Sequence, residues 1–177
     1  MAGIVIVGAG QAGASLAAKL RSLGYAGALT LIGEEPAPPY QRPPLSKGYL
    51  LGEMELERLY LRAPSYWQDQ NVDLRLNARV TDIDPAAKTV TVGGETLQYD
   101  QLALTTGSQP RKLPASIGGD LANVFTVRTL ADVDHMAKSI HAGGNAVIVG
   151  GGYIGLEAAA VAAKLGLHVT VIEAAQR

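Results

Sequence analysis

The chain has 177 residues, with 15 lysines and arginines against 16 acidic residues, 21 glycines and no cysteine. A chain of this length buries roughly 70% of its unfolded surface without a metal or a disulfide, and the missing cysteines exclude thiolate zinc sites, cysteine-ligated iron–sulfur clusters and redox-active dithiols. A net charge of −1 argues against a nucleic-acid binder. The start lacks the basic segment of a secretory signal, and polar residues interrupt the apolar stretch behind it, so we expect a cytoplasmic protein without membrane contact.

The chain opens on a strand, helix, strand unit. A β-branched run at residues 4–7 predicts a strand covered on both faces, and it leads directly into the motif GAGQAG at residues 8–13. An Ala- and Leu-rich stretch predicts a helix over 14–23 that closes on Gly24. A second apolar strand follows over 28–32.

The middle of the chain predicts irregular and antiparallel structure. Proline-rich residues 35–44 predict a loop of fixed path, after which Ser46 is placed to cap a short helix and Ser65 to cap a turn. Alternating apolar residues between 79 and 100 predict a small antiparallel meander, and residues 102–104 predict a separate buried strand.

The opening pattern returns near the end. After a predicted helix over 132–141, an apolar strand over 146–149 leads into GGGYIG at 150–155, followed by an Ala-rich helix over 156–165 and a strand over 169–172. The chain therefore contains two copies of one supersecondary unit. A doubly wound domain needs more strands than follow here, so we expect the sequence to be the front part of a longer polypeptide.

The two glycine motifs indicate two dinucleotide sites. The first glycine permits a tight turn, the second lets a pyrophosphate approach the backbone, and the third lets helix and strand pack closely. Glu34 follows Gly13 by 21 residues and Glu173 follows Gly155 by 18, so each acid is placed to accept hydrogen bonds from a ribose. A glutamate disfavours an added 2′-phosphate, so Glu173 favours NADH over NADPH. The alternative is that the glycines serve only turns and packing.

Two such sites in one chain suggest a flavoenzyme that receives electrons from a nicotinamide. Three further motifs stand at residues 39–47 (PYQRPPLSK), 105–108 (TTGS) and 152–157 (GYIGLE). With them the whole chain resembles the FAD-dependent ferredoxin reductase branch of the pyridine nucleotide-disulfide oxidoreductases. The resemblance implies an α/β fold of Rossmann-like dinucleotide-binding units, with a three-layer ββα FAD domain over 1–112 and the start of an NAD-binding domain over 113–177.

The resemblance also assigns residues to both cofactors. Those assigned to FAD are Gly8, Gly10, Ala12, Gly13, Glu34, Arg42, Lys47, Val80, Thr106, Gly107 and Arg128. Those assigned to NAD are Gly150, Gly152, Tyr153, Ile154, Gly155, Glu157 and Glu173. Tyr153 would shield the flavin face until nicotinamide displaces it. Thr105 stands where the family has alanine, which adds a hydroxyl and bulk at that turn.

Lys47 and Glu157 are the candidate catalytic residues. A cation beside the flavin's central ring would stabilise the negative charge that arrives with a hydride. A buried lysine needs a partner, and the resemblance makes Glu157 that partner, in a pair expected to form only if the two nucleotide-binding units face each other. The alternative is a solvated lysine on a helix. His135, His141 and His168 lack metal-ligand spacing, so no metal is expected.

The implied activity is that of an FAD-dependent NADH:ferredoxin reductase. Disulfide reductases of the superfamily need cysteines that this chain lacks, so electrons would leave directly from the flavin to a ferredoxin or rubredoxin-type carrier feeding an oxygenase. Basic clusters at 58–62 and 111–112 either meet such an acidic carrier or are simply solvated charge. One alternative acceptor is a small oxidant such as an ascorbate radical or a quinone. A further alternative is a nucleotide-binding fragment without turnover, and we expect the 177-residue chain alone to be poorly active.

Overall fold

The computed structural model describes residues 2–176, which divide into two compact units. The first holds the chain up to Gln41 together with Tyr60–Ser108, and the second holds Arg42–Leu59 and the chain from Gln109 onward. Segment Arg42–Leu59 therefore belongs by its contacts to the second unit, although it lies within the predicted FAD domain. The assignment of one domain to FAD and the other to NAD stays a prediction. Within residues 2–176, no helix combines the length and hydropathy that a membrane span requires.

The chain contains eight strands and five α-helices within residues 2–176. The strands are β1 Gly3–Val7, β2 Leu29–Ile32, β3 Asp73–Arg75, β4 Val80–Asp84, β5 Thr89–Val92, β6 Glu95–Leu104, β7 Asn145–Val149 and β8 His168–Ile172. The helices are α1 Gln11–Ser22, α2 Leu56–Leu59, α3 Ser65–Asp69, α4 Leu130–Ala137 and α5 Tyr153–Lys164, with a π-helical turn at Leu45–Tyr49 and a 3-10 turn at Ala115–Ile117. The predicted α/β fold class is confirmed.

The first unit contains one sheet of order β3-β2-β1-β6-β5-β4. Its three layers are the helices, the parallel strands and the antiparallel meander. Strands β3, β2, β1 and β6 are parallel, and β4 and β5 add an antiparallel meander. Because side chains alternate along β1, Ile6 packs on the helical side with Trp67 of α3, while Val5 and Val7 pack against Val90 of the meander. The burial of both faces of β1 explains its uninterrupted β-branched run.

The register of the parallel strands brings their ends together. Val7 at the end of β1 pairs with Ile32 at the end of β2 and with Leu104 at the end of β6. The loops that follow these three strands therefore leave from one edge of the sheet. In open parallel sheets this carboxyl edge is where ligands bind.

Some predicted boundaries were wrong. One strand, β6, forms where a meander strand and a separate buried strand over 102–104 were predicted. The prediction divided it because its polar centre is exposed and interrupts the apolar pattern. Strand β3 was missed because it is short and half polar, and Arg75 within it bonds Asp73 and Glu95. These hydrogen bonds, the one to Asp73 foremost, raise the pKa of Arg75.

Helix starts also differ from the prediction. Helix α1 begins at Gln11, inside the glycine motif. The prediction placed its start later because the N-cap Gly10 has no side chain that could mark the beginning of a helix. Helix α4 begins earlier than expected, where Thr129 forms a capping box with Asp132. The serines predicted to cap do not do so. Prolines occupy both N-cap positions: Pro44 precedes the π-helical turn, and Pro64 precedes α3.

The second unit is built on the parallel pair β7 and β8, against which α5 packs. The π-helical turn Leu45–Tyr49 packs on both α4 and α5. Polar contacts fix the segment there: Tyr49 Oη donates to Asp134 Oδ1 at 2.8 Å, and Lys164 Nζ lies 2.5 Å from Glu53 Oε1. These contacts explain why Arg42–Leu59 groups with residues far along the chain.

Arg21 at the end of α1 ties two loops of the first unit together. Its guanidinium donates to the backbone carbonyls of Gln70 at 2.8 Å and Asn71 at 2.7 Å on one loop. It also donates to the carbonyls of Tyr25 at 2.6 Å and Gly27 at 2.9 Å on the other. One side chain thus satisfies four backbone acceptors that no lysine could reach in the same geometry.

We expect Arg21→Met to lower the free energy of unfolding by about 2 kcal/mol, because several carbonyls lose a charged donor while the aliphatic packing is kept. Lys19→Met, an exposed change on the same helix, is the matched control and should stay within about 0.5 kcal/mol of wild type. Urea unfolding of the three proteins measures the difference. Equal stability of the two variants would contradict the structural role of Arg21.

Candidate functional site

The first glycine turn connects β1 to α1 at the carboxyl edge of the sheet. Gly8 adopts φ +113°, and its N–H donates to the carbonyl of Ile32 at 2.8 Å. A Cβ on Gly13 would lie 2.0 Å from the Gly8 carbonyl oxygen, so the helix approaches the strand more closely than a side chain allows. A Cβ on Gly10 would meet no atom within 4 Å. The backbone at the start of α1 therefore borders open space.

The second glycine turn repeats this geometry between β7 and α5. Gly150 adopts φ +106°, and its N–H donates to the carbonyl of Ile172 at 2.8 Å. A Cβ on Gly155 would lie 2.0 Å from the Gly150 carbonyl oxygen, whereas a Cβ on Gly152 would meet no atom within 4 Å. Both units thus use the same turn.

This geometry fits a diphosphate at each turn. Helices α1 and α5 are both 12 residues long and have a glycine at the N-cap with extended backbone. The first N–H groups of a helix have no partner within the helix, and the positive end of the helix dipole favours an anion there. Because the second glycine of each motif faces open space, a phosphate can approach the backbone without meeting a side chain.

The two predicted ribose-binding acids are held differently. Glu34, just after β2, pairs with Arg79, whose Nη1 lies 2.5 Å from Glu34 Oε1, and both side chains are exposed. Glu173, just after β8, instead accepts hydrogen bonds from the backbone N–H of Gly151 at 2.7 Å and of Ala175 at 2.9 Å. The second carboxylate is therefore tied to its own glycine turn, while the first is oriented by an arginine.

Sequence reasoning missed Arg79. It directly precedes Val80, which the resemblance places at the adenine, and it lies in the same unit as Glu34. Its opposite charge was a usable signal, but the sequence separation of 45 positions hid the pairing.

The turn after β6 lies beside the first glycine turn. Thr106 and Gly107, both predicted to bind FAD, are exposed directly behind β6, and Gly107 adopts φ +72°. Thr105, regarded in the sequence as a departure, donates its hydroxyl toward the Gly8 carbonyl at 2.8 Å. Ala12 is the second residue of α1, and Val80 begins β4.

Lys47 and Glu157 form the predicted ion pair, with 3.1 Å between Nζ and Oε1. Two expectations about the pair were wrong. It does not require the two units to face each other, because both residues belong to the second unit, where the π-helical turn packs on α5. It is also not buried, since the side chains are 47% and 39% exposed. A pair this open to water tolerates the charge of the lysine at little cost.

The remaining predicted residues also lie in the second unit. Arg42 Nη1 donates to the backbone carbonyl of Arg128 at 2.6 Å, so the structure brings these two residues together. Tyr153 and Ile154 begin α5 and are 91% and 65% exposed. The start of α5 therefore carries two large apolar side chains directly behind the second glycine turn.

Comparison with known proteins gives a consistent result. The family model described as pyridine nucleotide-disulphide oxidoreductase matches residues 2–177. A ferredoxin–NAD(P)(+) reductase from a Sphingomonas species is 46% identical over 175 residues, which cover 98% of this chain and 42% of that protein. A rubredoxin–NAD(+) reductase from Pseudomonas putida is 40% identical, covering 98% of this chain and 45% of that protein.

Solved structures agree. The crystal structure of the covalent putidaredoxin reductase–putidaredoxin complex matches with a TM-score of 0.91 and 42% identity, covering 96% of this chain and 42% of the matched one. The chain thus spans less than half the length of the curated relatives it matches. The resemblance seen in the motifs is confirmed, and it extends over nearly all of this chain.

The open Gly10 and the packed Gly13 should respond differently to replacement by alanine. We expect Gly10→Ala to leave the thermal unfolding temperature nearly unchanged and to abolish flavin nucleotide binding, because its Cβ enters only the space beside the backbone. We expect Gly13→Ala to destabilise the protein by about 1–3 kcal/mol, because the Cβ meets a carbonyl oxygen. Thermal unfolding and fluorescence titration with FAD measure the two effects, and a stable Gly10→Ala protein that still binds FAD would contradict the assignment.

Proposed function

Because the chain belongs to the pyridine nucleotide-disulphide oxidoreductase family, we propose that it is part of a flavoprotein that passes electrons from NADH through FAD to a ferredoxin or rubredoxin-type carrier feeding an oxygenase. The observation that carries the proposal is the pair of matching glycine turns, each with open space beside its second glycine. We further propose that it works in the cytoplasm.

The first turn is the proposed site of the FAD diphosphate. Glu34, oriented by Arg79, would accept hydrogen bonds from the adenosine ribose, and the backbone of Val80 would meet the adenine. Thr106 and Gly107 would contact FAD from the turn behind β6. Bound FAD supplies the chemistry that accepts electrons in pairs and releases them singly.

The second turn is the proposed site of NADH. Gly150, Gly152 and Gly155 would hold its diphosphate, and Glu173 would accept hydrogen bonds from its ribose while remaining fixed by Gly151. Tyr153 would cover the nicotinamide site, which its exposure at the start of α5 permits.

Lys47, Arg42 and Arg128 are proposed to act on the flavin side. The ammonium of Lys47 would stabilise negative charge on the isoalloxazine, and Glu157 would keep the ammonium in one place. The carbonyl of Arg128 accepts a hydrogen bond from Arg42, which would hold that guanidinium ready for FAD. The proposed work of these residues is to orient groups and balance charge.

The relatives support an iron–sulfur or rubredoxin-type acceptor without choosing between them. Proteins named for ferredoxin and for rubredoxin reduction are similar over the same 98% of this chain. The test is to purify the full-length protein, confirm stoichiometric FAD and reduction by NADH, and compare its turnover with ferredoxin, rubredoxin, quinone and monodehydroascorbate. We expect a protein carrier to give the highest kcat/KM, and equal preference for small acceptors would contradict the proposal.

Lys47→Met should slow reduction of the flavin by NADH about tenfold, because a positive charge is removed from beside the reacting ring. The matched control is Lys164→Met, which removes the other lysine–glutamate pair on α5 and should leave the rate unchanged. Stopped-flow absorbance under anaerobic conditions measures both rates. Equal rates in the two variants would remove Lys47 from the catalytic site.

Glu173→Gln should lower the preference for NADH over NADPH about tenfold. The amide oxygen of glutamine still accepts the hydrogen bond of Gly151, but the negative charge that repels a 2′-phosphate is lost. The ratio of the two kcat/KM values measures this preference. Glu173→Ala, which removes the charge and the hydrogen bond, should in addition weaken NADH binding, and an unchanged ratio in both variants would contradict the role of Glu173.

A further inference from the structure

We propose that the Thr105 hydroxyl is a positioning group that fixes the first glycine turn for a nucleotide diphosphate. The inference deepens the proposed function and rests on it for the identity of the ligand as FAD. The contacts that carry it lie within the first unit.

Three groups of Thr105 contact the end of β1 and the first glycine turn: its backbone N–H, its hydroxyl and its backbone carbonyl. Its backbone N–H donates to the Val7 carbonyl at 2.8 Å, which continues the pairing of β6 with β1. Its Oγ1 lies 2.8 Å from the Gly8 carbonyl oxygen and 3.1 Å from that of Val7. The backbone carbonyl of Thr105 is so near that a Cβ on Gly8 would lie 2.2 Å from its oxygen.

The hydroxyl also uses the space that the third glycine leaves. A Cβ on Gly13 would lie 2.8 Å from Thr105 Oγ1 and 2.0 Å from the Gly8 carbonyl oxygen. The Gly8 carbonyl is therefore held between the start of α1 and the Thr105 side chain. A single hydroxyl proton shared with two carbonyl oxygens gives this carbonyl a fixed direction.

A fixed carbonyl fixes the next amide. In a planar trans peptide, the C=O of one residue and the N–H of the next point in opposite directions. Holding the Gly8 carbonyl toward Thr105 therefore directs the N–H of Ala9 away from it. Because the amides of this turn are the proposed diphosphate donors, the hydroxyl reduces the conformational freedom that the ligand would otherwise have to remove.

The second turn is an internal comparison. A Cβ on Gly150 would meet no atom within 4 Å, and the nearest atoms to a Cβ on Gly155 belong to the Gly150 backbone and the Ile148 side chain. In the described residues, the same backbone turn thus forms there without a hydroxyl against its first glycine. We therefore expect the Thr105 hydroxyl to affect the rigidity of the first turn and not that of the second.

Hydrogen–deuterium exchange on the full-length protein, freed of flavin, tests the rigidity directly. We expect Thr105→Val, which keeps the shape and removes the hydroxyl, to speed exchange of the hydrogen-bonded amides of the turn, those of Gly8, Ala14 and Thr105, about fivefold. Thr105→Ser keeps the hydroxyl and should restore the slow exchange. Amides in β2 of the same unit and amides 150–155 should not change. Faster exchange throughout the first unit, or no change at Gly8, Ala14 and Thr105, would overturn the proposal.

Ligand affinity gives the second readout. We expect Thr105→Val to weaken FAD binding about fivefold and to leave NADH affinity unchanged, while Thr105→Ser behaves as wild type. Equal loss of both affinities would indicate a general structural effect, and no loss of FAD affinity would contradict the positioning role. If the wild-type protein binds no FAD, the proposed function fails, while the exchange experiment still tests whether Thr105 fixes the turn.

Discussion

The carbonyl oxygen of the first glycine occupies the position where a side chain on the third glycine would begin, and this steric constraint governs both units. A Cβ on Gly13 would lie 2.0 Å from the Gly8 carbonyl oxygen, and a Cβ on Gly155 would lie 2.0 Å from the Gly150 carbonyl oxygen. The helix can therefore start directly against the strand, which brings its first amides to the carboxyl edge of the sheet. The close approach and the open space at the second glycine are two results of one turn, and the proposed ligand sites require both.

The two turns are alike in backbone but differ in what surrounds them. In the first, Thr105 and Arg79 supply side chains that hold a carbonyl and a carboxylate in place. In the second, the acid Glu173 reaches back to the turn itself through Gly151. The same strand–turn–helix arrangement is thus held by different side-chain contacts in the two units.

The sequence predicted best what depends on neighbouring residues. Strands β1 and β7 have apolar runs that lead directly into the glycine motifs, and β2 and β8 follow the helices behind those motifs, so their type and place follow from local pattern. Strand β6 could not be predicted as one element, because it serves a meander and a parallel sheet in turn and its exposed centre is polar. The pairing of Glu34 with Arg79 depends on folding across the sheet, which no local pattern reports.

The candidate pair Lys47 and Glu157 shows the same limit. Motif resemblance brought the two residues together correctly, but their exposure and their common unit depend on how the π-helical turn packs against α5. Packing of that kind is a property of surfaces formed by distant parts of the chain. It could be learned only from the structure.

The excursion of residues Arg42–Leu59 affects how the protein can be dissected. Its base is closed within the first unit, where Tyr40 bridges to Tyr60 and the N–H of Leu61 donates to the Pro39 carbonyl at 2.9 Å. The polypeptide consequently passes between the units three times. A protease that cuts only behind Ser108 would not separate two intact halves: the released C-terminal piece would have lost Lys47 and the loop that carries it.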